Sequence, residues 1–296
     1  MVSIITINYN GWQDTCELIA SLKQHETYPY EVIVVDNASK GDDVERIASL
    51  CPEVTIVCSK ENLGFAGGNN LGYKKAKGDY IFFLNNDTVV RTPVLEVMVK
   101  HLERPGIGGV SPMIRYYVPP YNIQYCGYQK MTHITLRLNT PSYDTDQPEK
   151  YLVDRRVEVM HGAAMMVSRK VIEEVGMMPE CYFLYYEEFD WSYHILDWGY
   201  QIWYEPAAVV YHKEGTKKGK ELVPFREYYL VRGRVLFARR NLDGIDRFFS
   251  CCYLLGIVMV RDVLKYIFQR KWKSIRAVVS GSFNGLWHSK VSYGTT

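Results

Sequence analysis

The sequence predicts an α/β fold with a mostly parallel central sheet flanked by helices, and three observations carry that reading. The runs Glu31-Val32-Ile33-Val34-Val35 and Tyr80-Ile81-Phe82-Phe83-Leu84 are almost continuously apolar, as strands covered on both faces must be. Segments with the 3.6-residue apolar period of helices lie around them, so strand and helix alternate. Polar residues gather directly after these runs, at the edge where such sheets hold ligands.

Taken in order, residues 2–9 read as a strand. Trp12–His25 reads as a helix, with Leu18, Ile19 and Leu22 on one face. After the strand at 31–35 come a helix at 42–50, a strand at 54–58 and a helix at 67–77. The strand at 80–84 is followed by a helix at 93–102. Residues 116–156 are rich in Tyr and Pro and read as short strands or a surface loop. A strand at 157–168, a short helix at 170–175 and strand pieces at 201–204 and 208–211 complete the α/β part. Beyond Val223 the pattern is helical almost to Asn284. The expected organisation is a ligand-binding and catalytic domain over 1–222 and a helical extension over 223–296, serving membrane-surface or oligomer contact.

The 296 residues carry 35 Lys+Arg against 33 Asp+Glu, a balance that argues against nucleic acid as partner. Twenty-four Tyr and six Trp suit wet, half-apolar surfaces such as sugar clefts and membrane interfaces, though a Tyr-rich core would look the same. Seven scattered Cys show no zinc-ligand spacing, and the N-terminus lacks the basic and cleavage-site features of a signal peptide. A cytoplasmic location is therefore expected. Residues 248–268 are apolar but interrupted by Arg261 and Asp262, too short a run to span a bilayer. Lys265, Arg270, Lys271, Lys273 and Arg276 follow, interleaved with Tyr266, Phe268 and Trp272. Two readings stand: a basic amphipathic helix lying over 248–276 on the inner face of the cell membrane, or a packed helix with one solvated face.

Five polar clusters follow the strands. Asp36-Asn37-Ala38-Ser39 offers a carboxylate that accepts from a base or ribose, or a simple helix cap. In residues 62–72, glycines would let backbone approach a nucleotide, but the spacing is not that of a dinucleotide fold. Asn85-Asn86-Asp87 places one carboxylate among amides, which suits a hard divalent ion on a diphosphate. Glu187-Glu188-Phe189-Asp190 crowds three carboxylates among aromatics, which raises their pKa values and suits a general base, although acidic first turns of helices look alike. His212 follows the apolar Val209-Val210 and gains meaning only if it shares a site with Asp87.

Together, Thr6-Ile7-Asn8-Tyr9-Asn10, Val34-Val35-Asp36-Asn37-Ala38-Ser39, the 62–72 segment, Leu84-Asn85-Asn86-Asp87-Thr88 and the stretch 162–190 resemble a family-2 glycosyltransferase of the GT-A fold, particularly its bacterial rhamnosyltransferase-like branch. The resemblance covers roughly residues 1–240. It implies a donor site at Asn8, Tyr9, Asp36, Gly64, Gly68, Asn70, Asn85 and Asn86, with Asp36 on the nucleoside. It also implies Mg²⁺ or Mn²⁺ held by Asp87 with His212. Glu188 is implied as catalytic base, with Glu187 and Asp190 as the other candidates. The implied reaction moves one sugar, with inversion, from dTDP-rhamnose or a UDP-hexose to a hydroxyl of a glycan or lipid-linked glycan in cell-surface polysaccharide synthesis. Asn at the first position of the acidic motif, Glu at 188 and His194 depart from the commoner pattern. Lys213, Lys217, Lys218 and Lys220 read as a basic loop over the diphosphate or as a solvated loop. A nucleotidyltransferase would need a basic glycine-rich loop after the first strand, which Asn8-Tyr9-Asn10-Gly11 does not supply. A non-catalytic glycan- or membrane-binding protein would have lost the carboxylates.

Overall fold

A computed structural model describes residues 1–138, 148–213 and 223–288. The elements are β1 (Val2–Asn8), α1 (Trp12–His25), β2 (Tyr30–Asp36), α2 (Asp43–Leu50), β3 (Thr55–Cys58), α3 (Gly64–Tyr73), β4 (Tyr80–Leu84), β5 (Thr88–Val90) and α4 (Leu95–Leu102). They continue with β6 (Ile107–Tyr116), β7 (Ile123–Tyr125), β8 (Arg155–Val157), β9 (Ala164–Ser168), α5 (Arg169–Val175), α6 (Glu187–Asp197) and β10 (Gln201–His212). Helices α7 (Val223–Asn241), α8 (Gly244–Tyr253), α9 (Met259–Phe268) and α10 (Trp272–Trp287) follow, with a π-helical turn, Leu254–Val258, between α8 and α9.

The strands form one sheet in the order β3-β2-β1-β4-β9-β6-β10-β5, with β7 on β6 and β8 on β10. β1, β2, β3 and β4 run parallel, as the buried apolar runs require. The centre departs from the expected mostly parallel sheet. β9 enters antiparallel between β4 and β6, and β5 lies antiparallel on β10, so the sheet is mixed. β9 follows β6 and β8 in the chain and lies antiparallel beside β6, a pairing that needs no crossover helix. The two strand pieces expected at 201–204 and 208–211 are one strand, β10, whose register on β6 slips between Glu205 and Val209. Pro206 has no N–H to give the ladder, and the bulge absorbs that gap.

In α3 the glycine-rich sequence is a poor helix former, yet the helix starts three residues earlier than expected. Packing accounts for it. A Cβ on Gly68 would sit 2.8 Å from Ile7 Cδ1, and one on Gly72 would sit 2.5 Å from Ile5 Cγ2, so both glycines let α3 lie directly on β1.

A second apolar cluster joins α6 to the C-terminal helices through Tyr182, Tyr193, Leu236, Phe237 and Leu254. Arg232 of α7 donates to the carbonyls of Tyr182 and Cys181 at 2.8 and 2.7 Å. Helix α7 thereby packs against the unit that carries α6. Among the described residues no helix is long and apolar enough to cross a membrane.

Candidate active site

At the carboxyl edge of the sheet Asn8 is paired with Asp36 across β1 and β2. Asn8 Nδ2 lies 3.0 Å from Asp36 Oδ1 and 2.9 Å from Asp43 Oδ1, and Asn8 Oδ1 accepts from Thr15 Oγ1 at 2.9 Å. Asp36 Oδ2 accepts from the Ser39 N–H at 3.1 Å. Thr15 in turn accepts from Asn86 Nδ2 at 3.0 Å. A continuous polar chain thus ties Asp36 to the Asn85-Asn86-Asp87 turn. Asn8 is fully buried and its amide is committed on both ends, so it organises this edge. Tyr9, by contrast, is exposed.

The 62–72 segment is also more internal than expected. Gly64 has φ +73, and a Cβ there would stand 2.2 Å from the Phe183 carbonyl oxygen, which accepts from the Phe65 N–H at 2.7 Å. Only glycine fits that approach. Asn37 fastens the turn, donating to the Gly64 carbonyl at 3.0 Å and accepting from the Leu63 N–H at 2.9 Å. Asn70 donates to Met178 O and Glu180 Oε1 at 2.9 and 2.8 Å. Gly68 and Asn70 are therefore spent on packing α3 against β1 and on holding residues 178–180.

Asp87 and His212 are brought together from 125 positions apart in the chain. β10 runs antiparallel to β5 with His212 opposite Thr88, which puts His212 Nε2 3.1 Å from Asp87 Oδ1. The Asp87 carbonyl accepts from the Lys213 N–H at 2.9 Å, closing the turn. His212 Nδ1 lies 2.9 Å from Gln124 Oε1. An amide oxygen only accepts, so Nδ1 carries the hydrogen. With the hydrogen on Nδ1, Nε2 faces a carboxylate oxygen, a pairing that a proton or a cation between the two atoms would satisfy. Adjacent ligands of an octahedral ion at about 2.1 Å stand about 3 Å apart, so this pair fits one edge of a Mg²⁺-type coordination shell. Among the described residues no cluster of three or more His, Cys, Asp or Glu offers a closed protein cage. Two protein ligands would leave positions for diphosphate oxygens and water.

The three carboxylates after Tyr186 separate into different roles. Asp190 is fully buried, and Arg240 Nε and Asn241 Nδ2 donate to its Oδ2 at 2.6 and 2.9 Å, joined by the Tyr182 hydroxyl. It is a structural anchor between α6 and α7. Glu187 is 3% exposed and its Oε2 has no hydrogen-bond partner among the described residues; burial, then the Glu188 charge, pushes its pKa well up. Glu188 is only partly buried, and its carboxyl lies against Gly162, where a Cβ would meet Cδ and Oε1 at 3.6 Å. Burial raises its pKa to about 7, while N–H groups at the start of α6 oppose the rise. Of the pair, Glu187 is held the more firmly in its protonated form, and Glu188 titrates near neutral pH.

Gly162 also connects the carboxyl to the Asp87 turn. The Asn85 N–H donates to the Ala163 carbonyl at 2.9 Å, and Leu84 pairs with Ala164. His161, one residue before, stands 6.4 Å ring to ring from His212. Burial, then His212, holds His161 neutral by lowering its pKa to about 3, and its Nδ1 accepts from the Ala163 N–H at 3.1 Å. The turn leading into α6 is strained: Phe183, Tyr185 and Tyr186 all have φ between 66 and 78. Such backbone costs about 1–3 kcal/mol per residue and persists only when surroundings enforce it. α7 enforces it here, since a Cβ on Gly233 would meet the Tyr185 carbonyl at 3.0 Å.

Thr15, Gln124, His161 and Arg240 were not singled out from sequence. Each acts across the sheet or from another helix, and no local motif marks it. Tyr182 and Trp191, among the aromatics beside the three carboxylates, are core residues: Trp191 donates to the Gly176 carbonyl at 2.9 Å and packs edge-on to Phe83. Lys213 Nζ is held by Asp14 and Glu17 at 2.9 and 2.6 Å, not over the turn. Lys217, Lys218 and Lys220 lie outside the described residues.

Comparison with known proteins is consistent with this geometry. A family model described as glycosyl transferase family 2 matches residues 3–176. The dTDP-rhamnosyl transferase RfbF of Shigella flexneri is 27% identical over 239 residues, spanning 76% of this chain and 75% of its own. The mannosyltransferase PcManGT of Pyrobaculum calidifontis, solved in complex with GDP-Man and Mn²⁺, is similar with a TM-score of 0.59 at 18% identity, over 98% of this chain and 88% of that one. GalNAc-T7, solved with UDP, GalNAc and Mn²⁺, has a TM-score of 0.62 at 15% identity over 90% of this chain, which spans 57% of its length. The fold is GT-A, as expected, with C-terminal helices.

Proposed function

The chain belongs to glycosyl transferase family 2 and is a glycosyltransferase, and from that premise we propose that it moves one sugar, with inversion, from a nucleotide-diphosphate sugar to a hydroxyl of a glycan acceptor. The observation that carries this reading is the placement of Glu188 against Gly162, on the strand end that also holds Asn85 and Asp87.

Glu188 takes the proton from the acceptor hydroxyl, which attacks the anomeric carbon from the face opposite the departing diphosphate. Its pKa near 7 leaves it basic enough to accept that proton and ionised often enough to be ready. Glu187 stays protonated beside it and so does not compete for the charge. Asp36, fixed by Asn8 and the Ser39 N–H, offers its carboxylate to the donor's nucleoside. Asp87 and His212 would hold Mg²⁺ or Mn²⁺, which supplies charge stabilisation for the leaving nucleoside diphosphate. Gln124 keeps the His212 Nε2 lone pair aimed at that position.

The likeness to a dTDP-rhamnosyl transferase favours dTDP-rhamnose among the donors, with UDP-hexoses next. A lipid-linked precursor of a cell-surface polysaccharide is the acceptor that matches such a donor. The test is diphosphate release over a panel of nucleotide sugars with Mg²⁺, Mn²⁺ or EDTA. One donor turned over with metal and stalled by EDTA supports the reading; turnover indifferent to EDTA removes the metal from it.

A further inference from the structure

We infer that the outer face of α8, the π-helical turn and α9 seats this protein on an anionic bilayer, a contact that would present the proposed active site to a lipid-borne acceptor. Half of the exposed large apolar side chains among the described residues lie between Ile245 and Trp287. They are not scattered. Ile257, Val260, Leu264 and Phe268 recur every three or four residues along the outside of the turn and α9, while Val258 and Tyr266 on the opposite side are buried. Phe268 is 86% exposed and Trp272, just beyond, 64%. Soluble monomers rarely leave so continuous an apolar stripe in water.

Charge identifies the occupant. From residue 244 to 288 there are seven basic residues and only Asp246 and Asp262 against them, in a chain whose net charge is +2. Arg261 and Lys265 each sit one position beyond Val260 and Leu264, flanking the stripe, and Arg270, Lys271 and Lys273 surround Trp272. All five are exposed. Apolar residues entering the acyl boundary beneath a rim of cations are what an anionic lipid surface attracts. A second copy of the chain would bring the same cationic rim against itself, which repels. The face is also close to the chemistry. A cavity of about 220 Å³ has Leu254, Val258 and Met259 on one side and Tyr186, the residue before Glu187, on another.

The consequence for the acceptor rests on the proposed function, but the docking does not, and the two are measured separately. The full chain is sedimented with vesicles of phosphatidylcholine alone and of phosphatidylcholine mixed with phosphatidylglycerol, without substrate. Binding is expected only to the anionic vesicles, weakening as salt is raised. Lys271→Gln with Lys273→Gln is expected to weaken it about 25-fold, at about fivefold per charge near the surface. Phe268→Glu with Trp272→Glu is expected to abolish it, with circular dichroism unchanged because both side chains are exposed. Equal binding to neutral vesicles, or none by the folded protein to anionic ones, overturns the inference. So does a dimer in light scattering that the Phe268 and Trp272 substitutions split while vesicles stay unbound. Diphosphate release with a soluble acceptor in the same variants reports on the transferase reading alone.

Discussion

His212 Nε2 stands 3.1 Å from Asp87 Oδ1 while the other nitrogen of the same ring lies 2.9 Å from Gln124 Oε1. The amide therefore sets the tautomer that would let the ring hold the proposed metal. Gln124→Leu is expected to raise the Mn²⁺ concentration for half-maximal diphosphate release by about 10–100-fold, the usual cost of losing an outer partner. The rate at saturating metal should recover. Asp87→Asn removes a ligand charge, and its loss should not be recovered by added metal.

The acid limb of the rate reports Glu188. Its carboxyl is surrounded by Glu187, the N–H groups at the start of α6 and the backbone of Gly162, and burial places its pKa near 7. A base works ionised, so kcat/KM should fall as pH drops below about 7, by about tenfold per unit. A profile flat from pH 5 to 8 would place the proton elsewhere.

Glu187 carries the opposite sign for stability. Its folded-state pKa is raised, so the folded form binds the proton more tightly than the unfolded chain, and stability declines as pH rises above the unfolded value near 4.3. Glu187→Gln keeps the shape and removes the ionisation. Chemical denaturation at pH 8 should show it more stable than wild type, because the amide does not have to take up a proton on folding.

Asp190 should behave as a structural anchor. Asp190→Asn leaves Arg240 buried with its carboxylate partner gone, a loss of about 3–5 kcal/mol. Denaturation should show that loss directly, whereas Glu188→Gln should cost no stability at pH 8.

The packing of α7 on the catalytic turn is tested by Gly233→Ala. The added Cβ would stand 2.9 Å from Tyr186 Cδ2 and 3.0 Å from the Tyr185 carbonyl. Overpacking of this kind costs about 1–3 kcal/mol. Because the displaced residues lead into Glu188, kcat should fall while the donor KM changes little.

The parallel half of the sheet was legible because β2 and β4 are buried on both faces and read as apolar runs. The Asp87 turn and Glu188 were legible because each stands in a local motif after or before a regular element. The direction of β9 was not, since no residue in an antiparallel strand announces its neighbour. Gln124 and Arg240 reach their partners across 88 and 50 residues, and Thr15 bridges Asn8 to Asn86 from a helix face. The glycines of α3 misled in another way: positions that let backbone approach a nucleotide equally let a helix approach a sheet. The outward apolar stripe of α9 was visible as periodicity, but which side faced the core required the fold.

The most direct measurement compares Glu188→Gln with wild type in Mn²⁺-supported diphosphate release from the best donor, with both proteins matched in thermal unfolding. Glu188 as the base predicts a kcat lower by about 100-fold or more with donor KM within a few-fold of wild type. A Glu188→Gln enzyme that turns over at the wild-type rate contradicts the assignment, and with it the reaction drawn from this site.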